Sequence, residues 1–167
     1  AQRRLLSGDA SAGFRHVCSR CVRQIDYVTP PHCLTCGYPF FGEMAGERMC
    51  PHCEGLAPVY REGRTAVLLK GPARALVHEL KYHQGLFVLA DMEEIFRRSP
   101  HVLELARGAR LVPVPLHPRK ARERGYNQAE LLAHALAWSA GCGARVDRVL
   151  RRVADPVSQT HHDRRAR

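Results

Sequence analysis

The sequence predicts an α/β fold with a mostly parallel sheet, preceded by a small metal-stapled module. Residues 1–57 hold three Cys-x2-Cys pairs among prolines, glycines and histidines, a composition with little to build a core from. From Val59 the pattern changes to alternating strand and helix segments. At 167 residues and 45% hydrophobic, the chain can bury one moderate core and a small satellite. We therefore expect the module at 1–57 and the α/β domain at 58–167.

The cysteine pairs predict a structural zinc site. They are Cys18/Cys21, Cys33/Cys36 and Cys50/Cys53. One Cys-x2-Cys turn brings two thiolates to one Zn²⁺, and two turns complete a tetrahedral site without an open position for catalysis. Thirteen residues separate Cys36 from Cys50, close to the spacing of a zinc ribbon, and Gly37 suits a tight knuckle. We predict one site with Cys33, Cys36, Cys50 and Cys53 as ligands.

Cys18 and Cys21 then remain as a second, partial site. They could share the middle cysteine pair across an eleven-residue spacer, or bind metal together with His16 or His32. Alternatively, their partners lie in a missing N-terminal segment, since the chain is expected to be truncated at both ends. Disulfides fit poorly because the sequence has no secretory signal.

The α/β elements follow in order after the module. We predict a strand at 65–70, a helix at 72–82, a helix at 86–98, a strand at 110–115 and a helix from 127 onward. Gly71-Pro72 ends the first strand and starts the first helix, because proline suits the first helical position. Asn127 and Glu130 form an N-cap pair for the last helix. The stretch 144–152 fits a strand or a helix equally well.

A basic loop leads into this last helix. It carries Arg119, Lys120, Arg122 and Arg124 against one acid, Glu123. In open α/β sheets, ligands bind beyond the carboxyl ends of strands, where loop amides and the dipole of the next helix favour phosphate. Gly125 would permit close approach of the backbone to a ligand. The loop thus indicates a phosphate or pyrophosphate site, or else a solvated basic surface.

The charge distribution supports an anionic partner. The formal net charge is +10, and residues 110–167 contribute twelve Lys or Arg against five Asp or Glu, a net +7. Such an excess favours binding of phosphate or nucleic acid, with a solvated basic surface as the alternative. No apolar run reaches membrane-spanning length and no signal peptide is evident, so we expect a cytoplasmic protein without a membrane span.

Four segments carry a family resemblance. They are "CSRC…PPHCLTCGYP…CPHC", "GPARALVHELKYHQG", "VPVPLHPRKARERGYNQAELLAHALA" and "LRRVADPVSQTHHDRRAR". Together they resemble the ComF family of competence-associated proteins, which join a double zinc ribbon to a phosphoribosyltransferase-like domain. The resemblance implies a type I phosphoribosyltransferase-like parallel sheet, incomplete here, behind the zinc ribbon.

The resemblance also implies a ligand site at 112–128 and nearby. The residues that fall on the family's motifs are Arg119, Arg122, Arg124, Gly125, Asn127, Gln128, Lys81, Gln159 and Arg164. They would bind pyrophosphate or a phosphoribosyl group. Mg²⁺ with phosphoribosyl pyrophosphate is expected only in the full-length protein, because nothing here fits the family's paired-acid "DDVxTTG" loop. Enzymatic activity is therefore uncertain, and this chain alone should be inactive.

Two other kinds of function compete with this interpretation. A non-enzymatic module could bind single-stranded DNA through the zinc ribbon and the arginine-rich tail. Against it, aromatic residues make up 7% of the chain and do not alternate with the arginines. A scaffold could instead dock onto proteins of the DNA-import machinery through the ribbon.

Overall fold

The protein is a set of helices around one apolar core, with a short parallel sheet and a small cysteine module. The computed structural model describes residues 11–41, 49–54, 58–141 and 143–154. Their elements are α1 (Ser19–Val22), α2 (Pro51–Glu54), α3 (Gly71–Tyr82), a 3₁₀ turn (Leu86–Val88), α4 (Leu89–Arg97), α5 (Pro100–Ala106), β1 (Arg110–Leu111), α6 (Pro118–Arg124), α7 (Gln128–Ala140) and β2 (Arg145–Val146). Among these ranges, no helix has the length and apolarity needed to cross a bilayer.

The helices predicted at 72–82 and 86–98 are confirmed. α3 begins at the Gly-Pro step, with proline in its first turn, and buries Ala73, Leu76 and Leu80 along one side. The second prediction corresponds to the 3₁₀ turn followed by α4, which buries Met92 and Ile95. Both helices form because their apolar residues recur at helical spacing and meet in one core.

The core also includes the chain that precedes the second cysteine pair. Val17, Val22 and Ile25 are buried in the same cluster as the apolar faces of α3 and α4. Asp91 of α4, with no exposed surface, strengthens this contact by accepting hydrogen bonds from the backbone N–H groups of Arg15 and His16. The segment from 14 to 28 therefore packs directly on the helices, and the proposed domain limit at 57/58 stays a prediction.

The sheet is a two-stranded parallel pair in the described residues. Arg110 of β1 lies opposite Arg145 of β2, and Leu111 lies opposite Val146. The connection from β1 to β2 contains α6 and α7. Parallel strands need such a long connection, because the end of one strand lies too far from the start of the next for a tight turn. This strand–helix–strand unit is consistent with an α/β fold.

Both predicted strands are shorter than expected. The segment 65–70 contributes one isolated antiparallel bridge, between Val67 and Tyr27, and no regular strand. The strand predicted at 110–115 ends after Leu111, because Pro113 and Pro115 lack the N–H that a ladder needs. Along the irregular continuation Val114 is 62% exposed, so the expectation of a buried strand was wrong there.

Two helices were missed by the sequence analysis. α5 follows Ser99 and starts with Pro100 at its first position, but seven residues are too few to show a helical period. α6 occupies the stretch that we predicted as a basic loop, and it also starts with a proline, Pro118. Gly125 ends α6 in the left-handed region at φ +79°. The arginines and lysine of this stretch therefore lie on a helix.

The start of α7 is only partly as predicted. The side-chain oxygen of Asn127 accepts a hydrogen bond from the N–H of Ala129 at 3.1 Å, so Asn127 is the N-cap. Glu130 does not complete a capping box, because its carboxylate pairs with Arg148. The stretch 144–152, which fitted a strand or a helix equally well, contains the short strand β2 at Arg145–Val146.

Candidate metal centre and ligand site

The structure brings together the four cysteines predicted as zinc ligands. The thiols of Cys33, Cys36, Cys50 and Cys53 all lie within 4.8 Å of one another. Cys36 is half-buried and the other three are buried. The backbone N–H of Cys50 also points at the sulfur of Cys33, at 3.3 Å. Four converging, shielded thiols match the soft, tetrahedral donor set of structural zinc.

The first knuckle depends on Gly37. The N–H of Gly37 donates to the carbonyl of Cys33, and the N–H of Cys33 donates to the carbonyl of Tyr38, both at 2.8 Å. Gly37 has φ +70°, and a Cβ there would lie 2.7 Å from the backbone nitrogen of Thr65. The predicted tight turn is confirmed, and it also allows the chain at 64–65 to pack beneath the knuckle.

The second knuckle is the short helix α2. The N–H groups of Cys53 and Glu54 both donate to the carbonyl of Cys50, at 2.8 and 3.2 Å. This single turn places Cys50 and Cys53 side by side. The residues that connect the two knuckles, 42–48, lie outside the described part of the chain.

The thiols of Cys33, Cys36 and Cys53 differ in their ease of ionisation. Burial opposes ionisation of Cys33, but N–H groups of Cys36, Cys50 and Thr35 outweigh it and lower the Cys33 pKa to about 6. Burial, together with neighbouring thiols, raises the pKa of Cys53 well above its usual range, and burial also raises that of Cys36. Without a metal, burial and the neighbouring thiols oppose ionisation of Cys36 and Cys53. A metal cation overcomes this opposition, because it stabilises all the thiolates at once.

The pair Cys18/Cys21 has no such cluster. α1 holds the two thiols together, and the N–H of Cys21 lowers the pKa of Cys18 while the contact with Cys18 raises that of Cys21. In the described ranges, no third His, Cys or acidic ligand converges with them. His16 is bound instead through Nδ1 to the buried carboxylate of Asp91 at 2.8 Å. Cys33 and Cys36, which could have shared a metal with this pair, cluster with Cys50 and Cys53 instead.

Two of the residues predicted to bind the ligand meet at one aromatic ring. The ammonium of Lys81 lies 5.3 Å from the ring centroid of Tyr82, and the guanidinium of Arg124 lies 5.9 Å from it. Lys81 lies in the last turn of α3 and Arg124 ends α6, so the two helix ends are adjacent. Tyr126 holds them there, because its hydroxyl donates to the carbonyl of Leu80. We call Lys81, Tyr82 and Arg124 the basic cluster.

The remaining cations of α6 are not part of this cluster. Arg119 and Lys120 both pair with Glu123, at 3.3 and 3.1 Å, and the pKa of Glu123 is lowered, chiefly by its hydrogen bond from Lys120. Arg122 has no ion pair in the described residues. It lies two positions from Arg124, so it faces a different side of α6.

The junction of α6 and α7 carries the other residues predicted for the ligand site. A Cβ at Gly125 would meet no protein atom within 4 Å, and within the chain this glycine serves the positive φ of the helix end. Asn127 is engaged by its capping bond and by donation to the carbonyl of Val114 at 3.0 Å. The side-chain oxygen of Gln128 is buried without a partner among the described residues. Gln159 and Arg164 lie outside the described residues.

A small cavity of about 160 Å³ lies beside this junction. Asn127 contributes to its wall, together with Pro115, Glu130 and Arg148. Glu130 and Arg148 neutralise each other. The cavity therefore has little net charge, unlike the basic cluster, whose two cations have no carboxylate partner among the described residues. Sequence reasoning did not find Tyr82 or Tyr126, although both stand next to residues that it named.

The comparisons with known proteins agree with this arrangement. Residues 5–54 match the double zinc ribbon domain family. The chain is similar to a DNA utilization protein, YhgH, of Salmonella typhi and to the protein of that name from Salmonella typhimurium, each 28% identical over 159 residues. The alignments cover 93% of this chain and 66% of the relatives, so the chain spans just under two thirds of their length. No solved structure matches significantly.

The fold and the cysteine centre thus define a protein with a double zinc ribbon followed by a helical region with a short parallel sheet. The relatives extend the likeness over most of the chain. These findings bear out the resemblance drawn from the sequence, because a double zinc ribbon and the likeness to the relatives over most of the chain both support a ComF-like protein.

Proposed function

We propose that this chain is a phosphoribosyltransferase-like protein with a role in DNA uptake, and that it binds a pyrophosphate or phosphoribosyl group at the basic cluster and the adjoining 125–128 segment. The role in DNA uptake is supported by the resemblance to competence-associated proteins and by relatives that are named DNA utilization proteins. The ligand rests on the convergence of Lys81 and Arg124, which carry no carboxylate partner among the described residues. Zinc bound by the four-cysteine centre would be structural.

The charges of α6 support the position of this site. Arg119 and Lys120 share the carboxylate of Glu123, whereas Lys81 and Arg124 have no carboxylate partner among the described residues and converge on one ring. Both lie at the carboxyl ends of helices, where the dipole stabilises a cation in the absence of any ligand. A doubly charged phosphate group between them would form charge-assisted hydrogen bonds with each.

Gln128 supports a ligand that has hydroxyl groups besides its phosphates. Its buried side-chain oxygen can accept a hydrogen bond but cannot donate one, so it suits a ribose hydroxyl and not a phosphate oxygen. A phosphoribosyl group supplies both kinds of atom. We expect Mg²⁺ with phosphoribosyl pyrophosphate to bind only where a paired-acid loop is also provided.

Calorimetric titration with pyrophosphate tests the proposal. We expect Arg124→Ala to weaken binding about tenfold, which corresponds to about 1.4 kcal/mol. Lys81→Ala should have a similar effect, because each cation contributes a separate charged contact.

Two cations that are already neutralised give matched controls. Arg119 on the same helix pairs with Glu123, and Lys70 pairs with Asp26 at 3.0 Å. Arg119→Ala and Lys70→Ala should leave affinity within about twofold, since screened surface pairs contribute little. Equal losses in all four variants would indicate general electrostatic attraction and would contradict the site. An absence of heat with pyrophosphate would contradict it as well.

A second candidate function, binding of single-stranded DNA, is favoured by aromatic rings on the cysteine module. Tyr38 is 46% exposed and Phe41 is 72% exposed, and their ring centroids lie 6.3 Å apart. His52 contacts Tyr38 from the second knuckle. Exposed rings of this kind offer stacking surfaces for bases, each worth roughly 1–3 kcal/mol.

Affinity for oligo-dT at several salt concentrations separates the two functions. If DNA binds the module, Phe41→Ala should lower affinity at least fivefold while Arg124→Ala does not. Binding that is independent of salt, or insensitive to Phe41→Ala, would rule out this candidate.

A further inference from the structure

A second cavity lies between the cysteine module and α5, next to the first knuckle but without any of the four cysteines in its wall. Its volume is about 440 Å³. Its polar wall is formed by two histidines, His32 and His101, and by Glu62, Arg64 and Glu104. His32 precedes the first knuckle cysteine, whereas His101 and Glu104 belong to α5. None of these five residues has a part in the zinc or ligand sites argued so far.

His32 lines this cavity and carries a buried polar atom without a partner among the described residues. The residue is 98% buried, since its relative exposure is 2%. Its Nδ1 atom is buried without a hydrogen-bond partner in the described residues. Burying a polar group without a partner costs roughly 1–3 kcal/mol, so such atoms usually mark an unseen water, ion or ligand.

His101 has one ring nitrogen, Nδ1, that can donate its lone pair to a metal ion. Its Nε2 lies 3.0 Å from the carbonyl oxygen of Thr65. A carbonyl only accepts, so Nε2 carries the proton and Nδ1 of the neutral ring keeps its lone pair. An imidazole whose second nitrogen is fixed on a backbone carbonyl is the usual state of a metal-binding histidine. The ring centroids of His32 and His101 are 5.4 Å apart.

That separation fits two imidazoles around one ion. A zinc–nitrogen bond of about 2.0–2.1 Å puts the ion about 3 Å from each ring centroid. Glu104 lies three residues after His101, on the same side of α5, and it has no ion pair in the described residues. Glu62 is neutralised by Arg64 at 2.8 Å, so Glu104 leaves the cavity with a net negative charge.

We propose that His32, His101 and Glu104 form a divalent transition-metal site, separate from the four cysteines. Two imidazoles and one carboxylate suit Zn²⁺, Co²⁺ or Ni²⁺ and leave one coordination position open. In the described residues, only the cysteine ligand atoms already converge within 4.8 Å, so the exposed side chain of Glu104 must turn toward the rings. The bound ion would join the cysteine module to α5.

Cobalt added to the full 167-residue, zinc-loaded chain tests this site. We expect one equivalent of Co²⁺ to bind with d–d absorption bands and without the intense near-ultraviolet bands that thiolate ligands produce. Glu104→Gln should weaken this binding roughly tenfold or more, since even outer-shell partners cost 10–100-fold when removed. His101→Ala should abolish it.

The matched control is another histidine with a nearby glutamate. His83 lies 3.5 Å from Glu79 on the far end of α3, outside the cavity. His83→Ala should leave cobalt affinity unchanged. Should His101→Ala unfold, Glu104→Gln decides the question, because its side chain is exposed and the replacement has nearly the same shape.

Three results would overturn the proposal. The zinc-loaded chain could take up no cobalt. The uptake could carry thiolate bands, which would place the ion at Cys18 and Cys21. Finally, uptake without thiolate bands could persist at full affinity in both Glu104→Gln and His101→Ala.

Discussion

The four-cysteine centre and the basic cluster are built in opposite ways. In the centre, short local turns fix each pair of ligands, and Gly37 and the turn of α2 leave the thiols within 4.8 Å of one another. In the basic cluster, Lys81 and Arg124 lie 43 positions apart in the sequence and meet because two helix ends pack together. A site made by local spacing can be read from sequence, whereas a site made by helix packing needs the fold.

The three Cys-x2-Cys pairs also show that local spacing alone does not complete a site. All three have identical spacing, yet only two of them form a cluster in the described residues. α1 holds Cys21 against the apolar core, and Cys18 beside it is exposed. The turn alone therefore provides half a metal site, and the approach of a second turn decides whether a closed site forms.

The largest effect should come from removing zinc from the cysteine centre. Cys33→Ser, or a strong chelator, should release the metal and unfold the module, because such a site contributes roughly 10–16 kcal/mol of apparent binding free energy. Limited proteolysis should then cut within residues 29–54, while the helices of the core stay protected. Metal analysis measures the release of zinc, and circular dichroism measures the unfolding of the module.

Cys18→Ser is the control for this comparison. It should leave the zinc of the four-cysteine centre in place. If Cys18→Ser releases zinc as readily as Cys33→Ser, the grouping of the four cysteines is wrong.

Gly37→Ala should have the next largest effect. The left-handed φ costs roughly 1–2 kcal/mol for any residue with a Cβ, and the contact at 2.7 Å with the Thr65 nitrogen adds to it. Gly108→Ala is a matched comparison, since Gly108 has φ +67° and open space around its Cα. Denaturant unfolding with zinc release as the signal should show the larger loss for Gly37→Ala. Equal losses would mean that the contact beneath the knuckle contributes nothing.

Tyr126→Phe should have a smaller effect, confined to the basic cluster. It removes the hydroxyl that donates to Leu80, a bond worth about 1 kcal/mol in net stability. Because this bond holds the ends of α3 and α6 together, pyrophosphate affinity should fall by a few-fold. Zinc content should not change, and a loss of zinc in this variant would show that the two regions are not independent.

The sequence predicted the local features well and the long-range ones poorly. The helices α3 and α4 follow from apolar residues at helical spacing, and the knuckle follows from Gly37. The strand at 110–115 failed because its prolines prevent ladder bonds beyond Leu111.

The basic stretch was predicted as a loop because its charges give no apolar period. Pro118 at the first helical position and Gly125 after the last were the available signals of a helix. The convergence of Arg124 with Tyr82 could not be predicted, since it depends on how α3 and α6 pack.

Amide chemical shifts of the ¹⁵N-labelled, zinc-loaded chain during a pyrophosphate titration test the central claim most directly. We expect saturable changes at Lys81, Tyr82 and residues 124–128, with the amides of both knuckles unmoved. Arg124→Ala should suppress these changes, and Arg119→Ala should preserve them. Changes centred on the knuckles, or none at residues 81–82 and 124–128, would contradict a ligand site at the basic cluster.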